Sequence, residues 1–95
     1  IGGAAALAVG RSLAEIAKDH QVLVVTHLAQ VAAWADAHVV VDKQVVGEAT
    51  ETTVDEVAGE DRITELARML SGTPDSAAAR AHARELLSEA TTSPR

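Results

Sequence analysis

The run Val22-Leu23-Val24-Val25 constrains this chain more than any other stretch. Four consecutive apolar residues, three of them β-branched, read as a short strand buried on both faces, as at the centre of a parallel sheet. A helical pattern precedes the run and another follows it, so an α/β layer is expected. The run ends in Thr26-His27. In open α/β sheets the carboxyl edge of the strands is where ligands bind. His27 is therefore the first candidate functional residue.

From Ala4 to Asp19 the spacing predicts a helix that packs Val9, Leu13, Ile16 and Ala17, with Arg11, Glu15 and Lys18 opposite. Gly10 weakens that helix by about 1 kcal/mol relative to Ala; it marks either a close approach to a neighbouring backbone or simple tolerance. Gly2-Gly3 reads as a flexible or φ-positive loop ahead of the helix. After the central run, Ala29 to Ala35 reads as a short helix packing Val31, Ala32 and Trp34. Asp36-Ala37-His38 then turns the chain into a strand from Val39 through Val45. Val46-Gly47-Glu48-Ala49 is a turn, and Thr50 to Val57 returns as the second strand of a hairpin.

From Gly59 the period changes to that of a helix. Ile63, Leu66, Ala67 and Leu70 share a face, Glu60 and Asp61 suit the first turn, and Ser71-Gly72 ends it. Thr73-Pro74-Asp75 is expected to supply the N-cap, N1 and N2 of a last helix. That helix should bury Ala79, Ala83, Leu86 and Leu87 and run to about Ala90. Residues 1–90 thus form one unit and 91–95 a flexible tail.

Composition excludes several function classes. One Trp and no Phe or Tyr dictate an aliphatic core. A net charge of −6, with eight basic residues scattered among fourteen acidic ones, argues against a free-standing DNA-binding surface. Cysteine is absent, which removes thiol chemistry and points weakly to the cytosol. No apolar run approaches the roughly 18 residues of a membrane span. His20, His38 and His82 are scattered and read as solvated surface, not as metal ligands. Trp34 reads as packing, not a base-stacking platform, since no basic residues surround it. No Ser/His/Asp pattern supports a hydrolase triad. The opening Ile-Gly-Gly-Ala has neither Met nor a basic n-region, and reads as a cut inside a longer protein.

Three segments carry a resemblance: Ile1-Gly2-Gly3-Ala4, the stretch Gln21 to Ala32 containing Thr-His-Leu-Ala-Gln-Val-Ala, and Glu65 to Gly72, reading Glu-Leu-Ala-Arg-Met-Leu-Ser-Gly. In this order and spacing they resemble the C-terminal end of the RecN family, bacterial DNA double-strand-break repair ATPases related to SMC proteins, with an ABC-type head. The resemblance covers nearly the whole chain; the hairpin is generic. It implies the C-terminal portion of a P-loop ABC-type head: a short sheet with a β-hairpin and two C-terminal helices. By the resemblance, His27 matches the switch (H-loop) histidine near the γ-phosphate, and Gly2 and Gly3 belong to the D-loop at the interface of two heads. The implied cofactors are ATP and Mg²⁺ in the full-length protein, with none expected for this piece. The implied partners are the rest of the head, a second head in a homodimer, and DNA reached through the full-length protein and not this acidic segment. The implied location is cytoplasmic, on the nucleoid when acting on DNA, and the full-length protein would carry a coiled coil.

Neither a G-x-x-x-x-G-K-[ST] loop, an LSGGQ-like signature, nor an apolar run ending in Asp-Glu occurs in the 95 residues. The chain is therefore expected not to hydrolyse ATP alone. The rival expectation is a non-catalytic module for self-association. A central strand with so few possible sheet neighbours either recruits another chain or leaves its edge loosely packed.

Overall fold

The computed structural model describes residues 2–92. Its elements run α1 (Gly3–Ile16), α2 (Ala29–Ala32), β1 (His38–Val46), β2 (Ala49–Val57), α3 (Gly59–Ser71) and α4 (Ala77–Thr92). The class is α/β, with a two-stranded antiparallel sheet and two C-terminal helices. The helices hold the core. Ala29, Ala32 and Ala33 pack with Leu66 of α3 and with Ala83 and Leu86 of α4, and Leu7 of α1 leans on this cluster. A second cluster joins Ala14 of α1, Trp34 and Ala90 of α4. Small residues dominate both, which lets the helices approach closely.

The hairpin forms as its sequence predicts. Its register pairs His38 with Val57 and Val46 with Ala49, leaving Gly47-Glu48 as a two-residue turn. Gly47 takes φ +64°, the left-handed region that glycine enters at no steric cost, as such hairpin turns require. Alternation then sorts the side chains. His38, Val40 and Val57 share one face and are buried or half-buried at the base, on the side of α3. Val39, Val41, Val45 and Val54 share the other and are exposed.

The largest departure from expectation is Val22–Val25. It forms no strand and belongs to no ladder, and Leu23 and Val25 are 93% and 97% exposed. The reason is topological. Among the described residues the two strands pair only with each other, so nothing flanks this run.

Helix α1 corrects the expected packing in the same way. It packs through Ala6, Gly10 and Ala14, while Val9 and Ile16 are exposed and Leu13 and Ala17 half-buried. A Cβ built on Gly10 would lie 2.4 Å from Trp34 Cδ1 and 3.1 Å from the Gln30 carbonyl oxygen. Close approach is thus the reason for this glycine.

Other corrections are local. Gly2 has φ −68° and Gly3 already begins α1, so neither forms a φ-positive loop. Helix α2 stops at Ala32, with Ala33 and Trp34 in the turn that follows. Helix α4 is capped by Ser76, whose Oγ accepts the Ala79 N–H at 3.2 Å, while Pro74 and Asp75 lie in a turn. The hydroxyl of Thr73 is engaged with Ser71 Oγ instead. Thr91 and Thr92, expected in the tail, are helical; each donates its hydroxyl to the carbonyl four residues back. Ile1 and residues 93–95 lie outside the described residues.

Candidate functional site

The segment after the exposed run is well defined although the run is not. Thr26 is half-buried, and its Oγ1 accepts the backbone N–H of Leu28 at 3.0 Å. This is a local Ser/Thr turn, in which a side-chain oxygen takes over a backbone acceptor's role. It bends the chain at His27 and turns the imidazole outward, where it is exposed. Leu28 then opens α2: its carbonyl accepts the N–H groups of Val31 and Ala32 at 3.1 and 3.0 Å. Thr26 thus makes a hydrogen bond, as expected, but at the end of a segment that is not a strand.

A four-residue helix has little stability of its own. Burial fixes α2 through Ala29, Val31 and Ala32. Its far end is held by Arg62 of α3, whose Nη2 donates to the carbonyl oxygens of Ala35 at 2.8 Å, Ala32 at 3.1 Å and Ala33 at 3.5 Å. These include the last-turn carbonyls that a helix leaves without intrahelical donors. Sequence reading passed over Arg62. The signal was its position four residues before the fully buried Leu66, which puts it on the packed face of α3.

His38, expected on the solvated surface, is instead buried at the base of β1, only 9% exposed, while His20 and His82 are exposed as expected. Burial lowers its pKa from the ordinary 6.5, the Arg62 charge lowers it further, and Glu65 opposes both. Trp34 is packing, buried as expected, yet a basic residue does reach it: the Arg11 guanidinium lies 5.6 Å from the ring centroid.

The structure does not join the candidate residues. A Cβ on Gly2 or Gly3 would meet nothing within 4 Å, so no His27 side chain closes over the space either would fill. Two open concavities, about 340 Å³ against α1 and Trp34 and about 280 Å³ between β1 and α3, are not lined by His27. The chain thus offers one outward imidazole on a pinned turn. No helix among the described residues is long and apolar enough to cross a membrane.

No family model matches the sequence. Curated relatives do. The chain is 54% identical to the DNA repair protein RecN of Mycobacterium leprae over 95% of its own length and 15% of the relative's. It is 52% identical to RecN of Streptomyces coelicolor over 95% of its length and 16% of the relative's. RecN of Deinococcus radiodurans is 54% identical over 92% of this chain and 15% of its own length. The chain therefore spans about 15% of the length of the relatives it matches. Over that stretch, its sequence places it in the RecN family of DNA repair proteins.

Proposed function

We propose that the chain is the C-terminal portion of an ABC-type ATPase head in a RecN-like protein acting in DNA double-strand-break repair and recombination, and that His27 is its switch histidine. The observation that carries this reading is the exposed His27 imidazole, on a turn fixed by Thr26 Oγ1, at the end of the apolar run Val22–Val25. A second observation agrees. Both Leu23–Val25 and the Val9/Ile16 side of α1 are apolar and exposed, as a strand and helix would be when the rest of their sheet lies in another part of the protein.

The residues present fit part of a nucleotide site. An outward imidazole can donate one hydrogen bond to a terminal phosphate oxygen. The only lysines, Lys18 and Lys43, do not sit in a glycine-rich phosphate loop, so the nucleotide is held chiefly by residues outside this chain. When bound, ATP with Mg²⁺ supplies the phosphoryl group and the metal charge that neutralises it. His27 contributes a positioned donor where negative charge must be stabilised, while the Thr26–Leu28 turn keeps its backbone from drifting. Gly2 and Gly3, at the start of α1, supply the D-loop that meets a second head. DNA is engaged by the full-length protein, not by this acidic segment.

The test is His27→Ala in a full-length RecN protein. ATP turnover should fall about 10²-fold or more, the range for loss of one positioned donor, with nucleotide affinity nearly unchanged. Parallel loss of turnover, binding and folding would make His27 a structural residue. The second reading, a self-association module, is favoured by the exposed valines of the hairpin and of the central run. A monomer in sedimentation at high concentration contradicts it.

A further inference from the structure

Arg62 holds a place that packing alone does not explain. Its contacts have a direction. Arg62 lies in the first half of α3, a 13-residue helix anchored by the fully buried Leu66 and Ala67. From there it grips the chain at Ala32, Ala33 and Ala35. Between that grip and His27 there is only α2, a single helical turn whose first acceptor is the Leu28 carbonyl. Burial of Ala29, Val31 and Ala32 seats this turn in the core, and the bonds at its two ends restrict the freedom that remains. The Thr26–Leu28 bond clamps one end and Arg62 the other.

We infer that Arg62 is a positioning residue for His27: by fixing the C-terminal end of α2 against α3, it sets where the His27 imidazole points. This rests on the reading of His27 as the switch histidine. Arg62 touches no substrate in this account and acts only through α2. All three bonds come from Nη2, which the planar guanidinium holds in a fixed direction, whereas a lysine ammonium is a compact point charge on a flexible stem. Lysine at this position keeps the charge but loosens the clamp. Displacement of a catalytic group by about 1 Å can cost on the order of a hundredfold in rate, so a partial loosening should cost about tenfold.

The experiment uses a full-length RecN-family protein with Arg62→Lys, Arg62→Ala, His27→Ala and the Arg62→Lys/His27→Ala double variant, read by kcat and KM for Mg²⁺-ATP and by thermal unfolding. The expected result is a kcat lowered about tenfold in Arg62→Lys, with KM within about twofold and no further loss when Arg62→Lys is added to His27→Ala. Should Arg62→Ala fail to fold, Arg62→Lys carries the test. If His27→Ala is impaired but Arg62→Lys turns over normally, the positioning role is overturned while the His27 reading stands. The positioning role is equally overturned if Arg62→Lys lowers kcat to the same extent with and without His27, or acts on KM or thermal midpoint alone. If His27→Ala turns over like the parent, the reading of His27 fails and the inference falls with it.

Discussion

Replacing Gly10 with alanine sets two effects of known sign against each other. In an exposed helix the change stabilises by about 1 kcal/mol, because glycine loses more backbone freedom on folding. Here the new methyl would sit 2.4 Å from Trp34 Cδ1, 3.0 Å from Trp34 Cγ and 3.1 Å from the Gln30 carbonyl oxygen. The indole cannot swing aside, because it is 4% exposed and wedged between Ala14 and Ala90. Helix α1 must therefore move away from the α2 turn, and overpacking of this kind costs about 1–3 kcal/mol. The overlap wins, and Gly10→Ala should lower stability by about 1–2 kcal/mol in net. Urea unfolding followed by far-UV circular dichroism would show a lower midpoint at an unchanged slope. In a Trp34→Ala background, where only the 3.1 Å contact with the Gln30 carbonyl oxygen remains, the same substitution should cost clearly less than it does with Trp34 in place. A higher midpoint for Gly10→Ala with Trp34 in place would refute the close-packing argument.

Two further predictions concern residues whose roles the fold revised. The pKa of His38 is lowered, mainly by burial and then by Arg62, so the folded chain favours the neutral imidazole and protonation favours the unfolded chain. Its contribution is present above the unfolded value of 6.5 and is lost as pH falls from there through the lower folded value. Stability measured from pH 8 to pH 5 should therefore drop less steeply in His38→Gln, and equal slopes would remove His38 from the account. At the start of α4, Ser76→Ala should cost about 0.5–2 kcal/mol as loss of a cap. Thr73→Ala, in an exposed turn, should stay within about 0.5 kcal/mol, and the reverse order in thermal midpoints would restore Thr73 as the cap.

What the sequence made legible was local. The hairpin followed from Val-rich runs around Gly47, and α3 from the period of Ile63, Leu66, Ala67 and Leu70, because turn chemistry and helical spacing are written in neighbouring residues. Helix ends were less legible. Thr73 and Ser76 are both competent caps three residues apart, and only the path of the chain decides between them. Long-range facts were hidden. Arg62 and His38 owe their burial to α2 and β1 meeting α3, which no local pattern encodes. The α1 face was misassigned because hydrophobicity favoured Val9 and Ile16, while close packing selected Ala6, Gly10 and Ala14. Both that error and the exposed central run have one physical source. On the proposed reading, their apolar character answers to a sheet larger than the two strands described. His27 was legible as a position at a strand's end and through the flanking segments, not through any geometry of its own.

The central claim, that Val22–Val25 is a core strand whose neighbours lie elsewhere in a RecN head, is tested most directly by amide hydrogen exchange at those four residues. The measurement compares the 95-residue chain, kept at a concentration where it sediments as a monomer, with a full-length RecN protein. Rapid exchange in the short chain and strong protection in the full-length protein is the result this account predicts. Protection in the monomeric short chain, or rapid exchange in the full-length protein, would contradict it.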